Sequence, residues 1–376
     1  MAGHLIKLSR LLGALGLPTC LTRVATPEAP NALRPARDEL FDWILSLGPV
    51  SKHNFTASGL SEPDLRAMDI DTSFEKFASE KDEHERKFVE EVARLYGVDP
   101  DNVMLTNGGS EAIFLVYSVL GQGGSAAVPL PNYPPMFTVP KALGIKVEGS
   151  LTTKSWKGGS IFGMTDPNNP TGESLDEGAV ETLADSARSD AVIYINETYM
   201  EFTFPGRPRT HFGRTGNVVT SNTMTKFFGL GRFRVGWILA DKRKARQLLY
   251  AKWGVSGHDS SYSLWIATQV LRHRSKFVER AQRIYSRNAK LVRRFLEETE
   301  GVSAELGVAP FCLVRYQGKP GSVALAREVL GKTGVLVSPG DFFGAPGSFR
   351  LCFTTDEETI KGGLAALSEF FNKRLS

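Results

Sequence analysis

Short apolar segments that each end in polar residues place the strongest constraint on how this chain of 376 residues can fold. Residues 103–105 run into a glycine-rich turn, and residues 191–195 run into Asn196 and Glu197. Buried parallel strands have this pattern, because both faces are covered and functional side chains gather at the carboxyl ends. Since helical stretches separate such segments over residues 102–240, we predict a mostly parallel α/β sheet.

The pattern changes after about residue 260. Two long helices are predicted there, at 260–273 and 275–300, and the second carries Arg and Lys at helical spacing. Three strands and a closing amphipathic helix are then predicted, at 302–316, 334–339, 348–354 and 359–375. A smaller C-terminal α+β domain therefore follows the large one.

Chain length allows one large core and one smaller lobe. We predict an N-terminal arm or extension at 1–37, a large domain at 38–285 and a small C-terminal domain at 286–376. Within the large domain, 38–50 is a candidate segment for packing on the small domain.

Composition restricts the classes of partner. A net charge of +4 with scattered basic residues argues against nucleic acid as a partner. The sequence contains no stretch of about twenty apolar residues, so we expect no membrane span. Cys20, Cys312 and Cys352 are too few for a disulfide framework or a metal site, which fits a reducing compartment.

Lys226 is the first candidate catalytic residue. It ends the hydroxyl-rich segment 221–226 (Ser-Asn-Thr-Met-Thr-Lys), and Arg234 follows eight residues later. A lysine shielded from solvent beside other cations is partly deprotonated and can attack a carbonyl, while an arginine fork suits a phosphate. One lysine among 45 Lys and Arg residues is weak support by itself, since most are solvated surface charges.

A second candidate site lies in the segment 106–112 (Thr-Asn-Gly-Gly-Ser-Glu-Ala). It follows a predicted strand and begins a predicted helix. The unpaired N–H groups and positive dipole end of a helix N-terminus favour phosphate binding. An ordinary glycine-rich turn is the alternative, and the lysine and arginine downstream favour the phosphate site.

The order of these segments resembles that of a known family. After the Gly-Gly-Ser turn come Tyr133 in a proline-rich loop, 166–172 (Asp-Pro-Asn-Asn-Pro-Thr-Gly), Asn196 and Tyr199 at a strand end, Lys226, and a late arginine, Arg350. Over roughly residues 50–355 the chain resembles the class I/II aminotransferases, which are fold-type I enzymes dependent on pyridoxal 5′-phosphate (PLP). The resemblance implies a seven-stranded, mostly parallel sheet in the large domain.

The resemblance also implies a role for each matching residue. Lys226 would bond to the cofactor and move the proton of the substrate. The implied cofactor-binding residues are Gly109, Ser110, Thr223 and Arg234 for the phosphate, Tyr133 stacked on the ring, Asn169 and Tyr199 at the ring oxygen, and Asn196 at the ring nitrogen. The implied substrate-binding residues are Arg350 for the α-carboxylate, Asn169, and Gly59 through its backbone.

Two positions depart from the family pattern. Asn196 stands where the family has an aspartate that keeps the ring nitrogen protonated, and Phe77 is a candidate counterpart of a tyrosine that reaches the neighbouring subunit. An amide offers only a neutral hydrogen bond, and losing an opposite charge lowers a pKa by about 1–3 units. Glu197 is adjacent but alternation turns it to the other face. A slower transaminase, another PLP reaction and a non-catalytic PLP-binding protein all remain open.

We therefore interpret the chain as a PLP-dependent aminotransferase that moves an amino group between an α-amino acid and a 2-oxo acid. The alternatives are a PLP-dependent decarboxylase, lyase or oxidase, or a protein that binds PLP without turnover. The resemblance implies a homodimer, with no metal, nucleic acid or membrane as partner. We expect a cytoplasmic protein; the alternative is organelle targeting through residues 1–27, which carry basic residues and no acid.

Overall fold

The computed structural model describes residues 37–149, 156, 159–203, 206, 208–318 and 320–375. The strands of this part of the chain are β1 (His53–Asn54), β2 (Val103–Thr106), β3 (Ser125–Val128), β4 (Lys146–Gly149), β5 (Ile161–Thr165), β6 (Val192–Asn196), β7 (Val218–Thr223), β8 (Gly236–Leu239), β9 (Val302–Ser303), β10 (Phe311–Tyr316), β11 (Val335–Leu336), β12 (Ser338–Pro339) and β13 (Ser348–Cys352). The α-helices are α1 (Glu39–Leu47), α2 (Phe74–Ser79), α3 (His84–Tyr96), α4 (Gly109–Leu120), α5 (Pro135–Ala142), α6 (Ala179–Ser186), α7 (Lys242–Val255), α8 (Ser261–Arg272), α9 (Arg274–Glu298), α10 (Ser322–Thr333) and α11 (Glu357–Leu375).

The large sheet has seven strands in the order β2-β8-β7-β6-β5-β3-β4. β8 runs antiparallel to both of its neighbours, and the remaining pairs are parallel. The residues of β5, β6 and β7 are all buried, as expected for strands covered by helices on both faces. The prediction of a mostly parallel seven-stranded sheet is confirmed.

Local sequence explains where several helices begin. The Asp38 carboxylate accepts the N–H of Phe41 before α1, and the Asp241 carboxylate accepts the N–H of Arg243 before α7. Ser260 caps α8 in the same way. Each cap satisfies an N–H group that has no partner within the first helical turn.

The C-terminal part contains a second sheet of four antiparallel strands, in the order β12-β13-β10-β9. The prediction of a single strand at residues 302–316 was wrong. This segment forms two strands, β9 and β10, which a loop separates. Pro310 in that loop has no N–H to donate to a ladder, and the N–H of Val308 bonds instead to Gly172 O at 2.8 Å. The strand predicted at 334–339 is likewise two short strands, β11 and β12, of which β11 pairs with β1.

Helix α1 packs against the C-terminal sheet. Trp43 is buried in a cluster with Val292, Leu351 and Leu367, and its indole N–H donates to Val337 O at 2.9 Å. The described residues belong to one compact unit, and the predicted boundary at residue 285 lies within helix α9. The division into domains stays a prediction, and residues 1–36 of the predicted arm lie outside the described residues. Among the described residues, no helix is long and apolar enough to cross a bilayer.

Candidate active site

A cavity of about 260 Å³ lies where strands β5, β6 and β7 reach their carboxyl ends, opposite the start of helix α4. It collects nearly all of the residues that the sequence predicted. The lining residues are Phe41, Gly109, Ser110, Ile113, Tyr133, Thr165, Asn169, Asn196, Thr198, Tyr199, Thr223, Thr225, Lys226 and Arg234. Two further predicted residues contact the lining residues without lining the cavity themselves: Gly59 lies against Lys226, and Arg350 bonds to Asn169.

One end of the cavity is built to bind an anion. Gly109 and Ser110 begin helix α4, so their backbone N–H groups lack partners inside the helix. Gly108 precedes them with a φ of 79°, and a Cβ atom there would lie 2.5 Å from the guanidinium of Arg234. Glycine is therefore required at position 108 for the arginine to approach the helix start.

Arg234 is held in an unusual backbone conformation. Its φ of 55° lies in the left-handed region, which non-glycine residues rarely adopt. The guanidinium donates to Gly231 O at 3.2 Å and to Asn107 O at 3.1 Å. These bonds use part of the five-donor fork and leave further N–H groups for an anion.

Hydroxyl groups complete this end of the cavity. Thr223 Oγ1 donates to Val235 O at 2.9 Å and lies 2.9 Å from Thr225 Oγ1. Its methyl group lies 3.6 Å from the position of a Cβ atom on Gly109. The end of β7 and the start of α4 thus face each other closely enough for one phosphate to contact both.

Lys226 lies beside this anion site. Within the described part of the chain, its Nζ makes no hydrogen bond or ion pair. Burial lowers the pKa of Lys226 from its usual value to about 8, with further contributions from the charges of Arg350 and Arg234. Gly59 is close behind it, because a Cβ atom there would lie 3.0 Å from Lys226 Cδ. A substantial fraction of the amine is therefore the free base near pH 8, far more than for an ordinary lysine.

This pKa predicts how Lys226 reacts with an acylating reagent in cofactor-free protein. Only the neutral amine reacts, so labelling should be half-maximal near pH 8 and level off about one pH unit above that value. Surface lysines, with ordinary pKa values of about 10.4, should continue to gain reactivity beyond pH 9. Mass spectrometry of the labelled peptides measures both groups in one sample. A Lys226 profile identical to that of the surface lysines would contradict the prediction.

Arg350 lies on β13 and is only 1 % exposed. Its guanidinium donates to Asn169 Oδ1 at 2.8 Å and to Thr56 O at 3.1 Å, and it lies 4.7 Å from the centre of the Phe343 ring. Its Nε is buried without a partner among the described residues. A buried cation with no carboxylate beside it is costly, so this arginine is suited to bind an anionic ligand.

Asn169 and Tyr199 lie on the sides of the cavity. The N–H of Asn169 donates to Thr165 Oγ1 at 2.9 Å, while its Oδ1 accepts from Arg350, so its Nδ2 is the group left to donate. The Tyr199 hydroxyl donates to Ser58 Oγ at 2.8 Å, and burial raises the pKa of Tyr199 well above its usual range. The Asn169 amide N–H can donate to an oxygen atom of a ligand, and the Tyr199 hydroxyl does so when its single proton turns from Ser58 to that atom.

The orientation of the Asn196 amide follows from its neighbours. Its Oδ1 accepts the backbone N–H of Thr198 at 3.1 Å and lies 2.5 Å from the hydroxyl of the same residue. A backbone N–H can only donate, so the oxygen must face Thr198 and Nδ2 must face away from it. Nδ2 donates to no other described residue. Glu197 faces away from the cavity, as expected, and accepts the N–H of His211 at 2.6 Å.

Sequence reasoning missed part of the lining. Phe41 comes from helix α1, and Ile113, Thr165, Thr198 and Thr225 are ordinary residues within strands, turns or helices. The only available signal was adjacency to predicted site residues for Thr165, Thr198 and Thr225. Nothing local distinguishes Phe41 or Ile113.

Phe77, the second departure from the family pattern, packs within its own chain. Its ring lies 5.2 Å from that of Tyr262, 5.8 Å from that of Trp265 and 5.1 Å from that of His84. It is a structural residue in this part of the chain.

The donor set fits PLP. The helix start, threonine hydroxyls and Arg234 match a phosphate, and an amine with a lowered pKa matches an aldehyde. Tyr133 supplies an aromatic ring on the cavity wall, and Asn169, Asn196 and Tyr199 supply polar groups between the two ends. Among the described residues, no group of three or more His, Cys, Asp or Glu side chains could hold a metal ion.

A family model described as aminotransferase class I and II matches residues 66–367. The chain belongs to this family. Family membership confirms the predicted amino-group transfer and the predicted PLP cofactor. The individual roles of the site residues stay predictions.

Named relatives of this aminotransferase act on different substrates. It is 27 % identical over 291 residues to histidinol-phosphate aminotransferase 2 of Carboxydothermus hydrogenoformans, a match that covers 72 % of this chain and 78 % of the relative. It is 25 % identical over 345 residues to the aspartate aminotransferase of Pyrococcus horikoshii, covering 84 % of this chain and 88 % of that one.

Solved structures share the fold of this aminotransferase. A PLP-dependent aminotransferase from Streptococcus suis matches with a TM-score of 0.76 at 21 % identity, over 90 % of this chain and 98 % of that chain. The PLP-dependent cyclase OrfR matches with a TM-score of 0.80, also at 21 % identity, over 94 % of this chain and 100 % of that chain. The predicted fold-type I architecture is confirmed, and the same fold serves more than one reaction.

Proposed function

We propose that this aminotransferase acts on a free α-amino acid whose carboxylate binds Arg350 while its amino group lies beside Lys226. The supporting observation is the arrangement of one cavity, with an anion site at one end, a free amine of lowered pKa in the middle, and a buried arginine with an unpartnered Nε behind it. A carboxylate suits that arginine because its two oxygens accept the N–H groups of the planar fork.

The residues of this chain divide the work between binding and proton transfer. Gly109, Ser110, Thr223 and Arg234 bind the phosphate, and Tyr133, Asn169, Tyr199 and Asn196 position the ring. Bound PLP supplies an electron sink next to the α-carbon of the substrate. Lys226 Nζ takes the α-proton as general base, because its pKa of about 8 leaves it partly neutral near physiological pH.

A panel of amino acids tests this function directly. Purified protein with PLP is mixed with each amino acid and one 2-oxo acid acceptor, and both products are measured. Amino transfer should convert the donor into its 2-oxo acid and the acceptor into its amino acid in equal amounts. Release of carbon dioxide or ammonia instead would support the decarboxylase or lyase alternative. Formation of hydrogen peroxide would support the oxidase.

Asn196 should limit the rate of this reaction. As an amide whose oxygen is held by Thr198, it offers the ring nitrogen only a neutral N–H donor through Nδ2. Asn196→Asp keeps an oxygen for Thr198 and places a carboxylate oxygen where Nδ2 was. We expect amino transfer to rise by about tenfold, because an adjacent opposite charge shifts a pKa by about 1–3 units toward the protonated ring.

Initial rates at saturating PLP measure this effect. Asn196→Ala is the matched control, since it removes the amide without adding charge and should be slower than the native protein. An Asn196→Asp rate equal to or below the native rate would contradict the explanation. Any turnover by the native chain would exclude the non-catalytic alternative.

We also propose that the chain works as a homodimer. The resemblance supports this, as do exposed apolar side chains of helix α7 and its end, among them Tyr250, Trp253 and Val255. Apolar patches of this kind are common at subunit contacts. Sedimentation at micromolar concentration should show twice the 41.2 kDa mass of the chain. A single-chain mass would contradict the proposal.

We also propose that the protein is located in the cytoplasm. Cys312 and Cys352 are free and buried, and burial raises the pKa of both thiols, which suits a reducing compartment. Fractionation of cells that express the chain with and without residues 1–27 tests it. Organelle enrichment that depends on those residues would favour the targeting alternative.

A further inference from the structure

A buried network of charged residues lies behind the segment 106–112, which we call the phosphate loop. Lys252 on helix α7 is 2 % exposed, and its Nζ lies 2.5 Å from Asp259 Oδ2 and 3.8 Å from Glu111 Oε2. The Asp259 and Glu111 side chains are also mostly buried. Glu111 lies in the segment 106–112, whereas Lys252 comes from helix α7 and Asp259 from the residues that follow it.

Glu111 connects this network to the phosphate loop. Its Oε2 accepts the backbone N–H of Asn107 at 2.6 Å, and its Oε1 accepts the hydroxyl of Ser256 at 2.5 Å. The carbonyl of the same Asn107 accepts the guanidinium of Arg234 at 3.1 Å. Hydrogen bonds therefore connect Glu111, through the backbone N–H and carbonyl of the single residue Asn107, to the arginine that faces the anion site.

The positive charge of Lys252 offsets the negative charge of the two carboxylates in this network. Glu111 lies in the first turn of helix α4 and brings a mostly buried carboxylate to this network. Asp259 adds a second negative charge, and one of its oxygens, Oδ1, is buried without a partner among the described residues. Lys252 is the cation that compensates both carboxylates, since a buried charge without a partner is costly.

We propose that Lys252, Glu111 and Asp259 position the phosphate loop, and that Lys252 thereby sets how strongly the site prefers phosphorylated over unphosphorylated cofactor. The three are positioning residues and act through Asn107 and Arg234. The proposal rests on the phosphate role proposed for Gly109, Ser110 and Arg234.

A comparison of two cofactor forms tests the proposal. The dissociation constants of PLP and of pyridoxal, which lacks the phosphate, are measured by fluorescence on cofactor-free protein. The ratio of the pyridoxal constant to the PLP constant reports the contribution of the phosphate alone, whereas a general loss of stability would weaken binding of both forms together. In Lys252→Met, we expect the ratio to fall by about tenfold, the effect of one unit charge in partly shielded surroundings.

Arg274→Met is the matched control variant. Arg274 pairs with the buried carboxylate of Glu201 at 2.6 Å, and neither residue contacts the phosphate loop. Its loss removes one partner of a buried ion pair, as Lys252→Met does, so its folding should suffer comparably. The preference for the phosphorylated form should nevertheless equal that of the native protein.

Two further variants test the proposal if Lys252→Met does not fold. Circular dichroism shows whether each variant is folded. Glu111→Ala removes the acceptor of the Asn107 N–H, and Ser256→Ala removes one exposed hydrogen bond to Glu111. We expect the preference to fall in both, by about threefold in the milder Ser256→Ala.

An unchanged preference in the folded variants would overturn the proposal, as would an equal fall in Arg274→Met. Native protein that binds PLP and pyridoxal equally would instead overturn the phosphate site itself. These outcomes separate a failure of the network from a failure of the proposed function.

Discussion

Lys226→Ala should reduce amino transfer by at least about 10²–10⁴-fold, the usual contribution of a positioned general base. The amine is the only lysine among the lining residues of the cavity, and burial together with two nearby arginines lowers its pKa to about 8. No other described amine lies in the cavity to replace it. Steady-state kinetics with saturating PLP measure the loss.

Lys226→Arg is the matched variant at the same position. It retains a positive charge and similar length, but a guanidinium stays protonated in proteins and cannot accept the α-proton. It should be as inactive as Lys226→Ala. Borohydride treatment of native protein with PLP should add the cofactor mass to the peptide that contains Lys226 and to no peptide of either variant. Native-like transfer by the alanine variant would refute the assignment.

Arg350→Lys should raise the KM for amino acids by about 10–150-fold while leaving PLP affinity nearly unchanged. Hydrogen bonds to charged groups contribute about 1.5–3 kcal/mol, and a lysine cannot form the paired bonds of a guanidinium. Arg350 is also anchored by Asn169 Oδ1 and Thr56 O, so the shorter ammonium would lose its orientation as well. Kinetics over a range of substrate concentrations measure this effect.

A substrate without a carboxylate separates this role from a structural one. A primary amine of similar size should react equally slowly with native protein and with Arg350→Lys, because neither can use the carboxylate contact. Arg315→Lys, on the exposed side of β10, is the surface control and should behave as native. An equal loss with the amine and the amino acid would show that Arg350 supports the fold rather than the substrate.

Much of the cofactor site could be predicted from local sequence. Asn169, Asn196 and Thr223 each end or follow a buried strand, and the parallel pairing of β5, β6 and β7 carries all three to one edge of the sheet. Gly109 and Ser110 could be predicted as a helix start because glycine punctuates the turn before an apolar helix. These signals lie within a few residues of the site residue.

Other contacts had no local signal. Arg350 bonds to Asn169 across 181 residues of sequence, and Trp43 bonds to Val337 across 294. The loop that splits the predicted strand at 302–316 is held by Gly172, more than 130 residues earlier. Such contacts depend on how the elements pack, which hydrophobic periodicity does not encode.

The sequence by itself determined the α/β class, the order of the site residues and the departure at Asn196, because strand ends, glycine turns and residue identity are local properties. Only the tertiary structure decided which way the Asn196 amide faces, that Phe41 reaches the cavity, and that Lys252 lies behind the phosphate loop beside Glu111. The physical reason is that hydrogen-bond direction and charge compensation depend on distances between atoms, and folding brings those atoms together from distant parts of the chain.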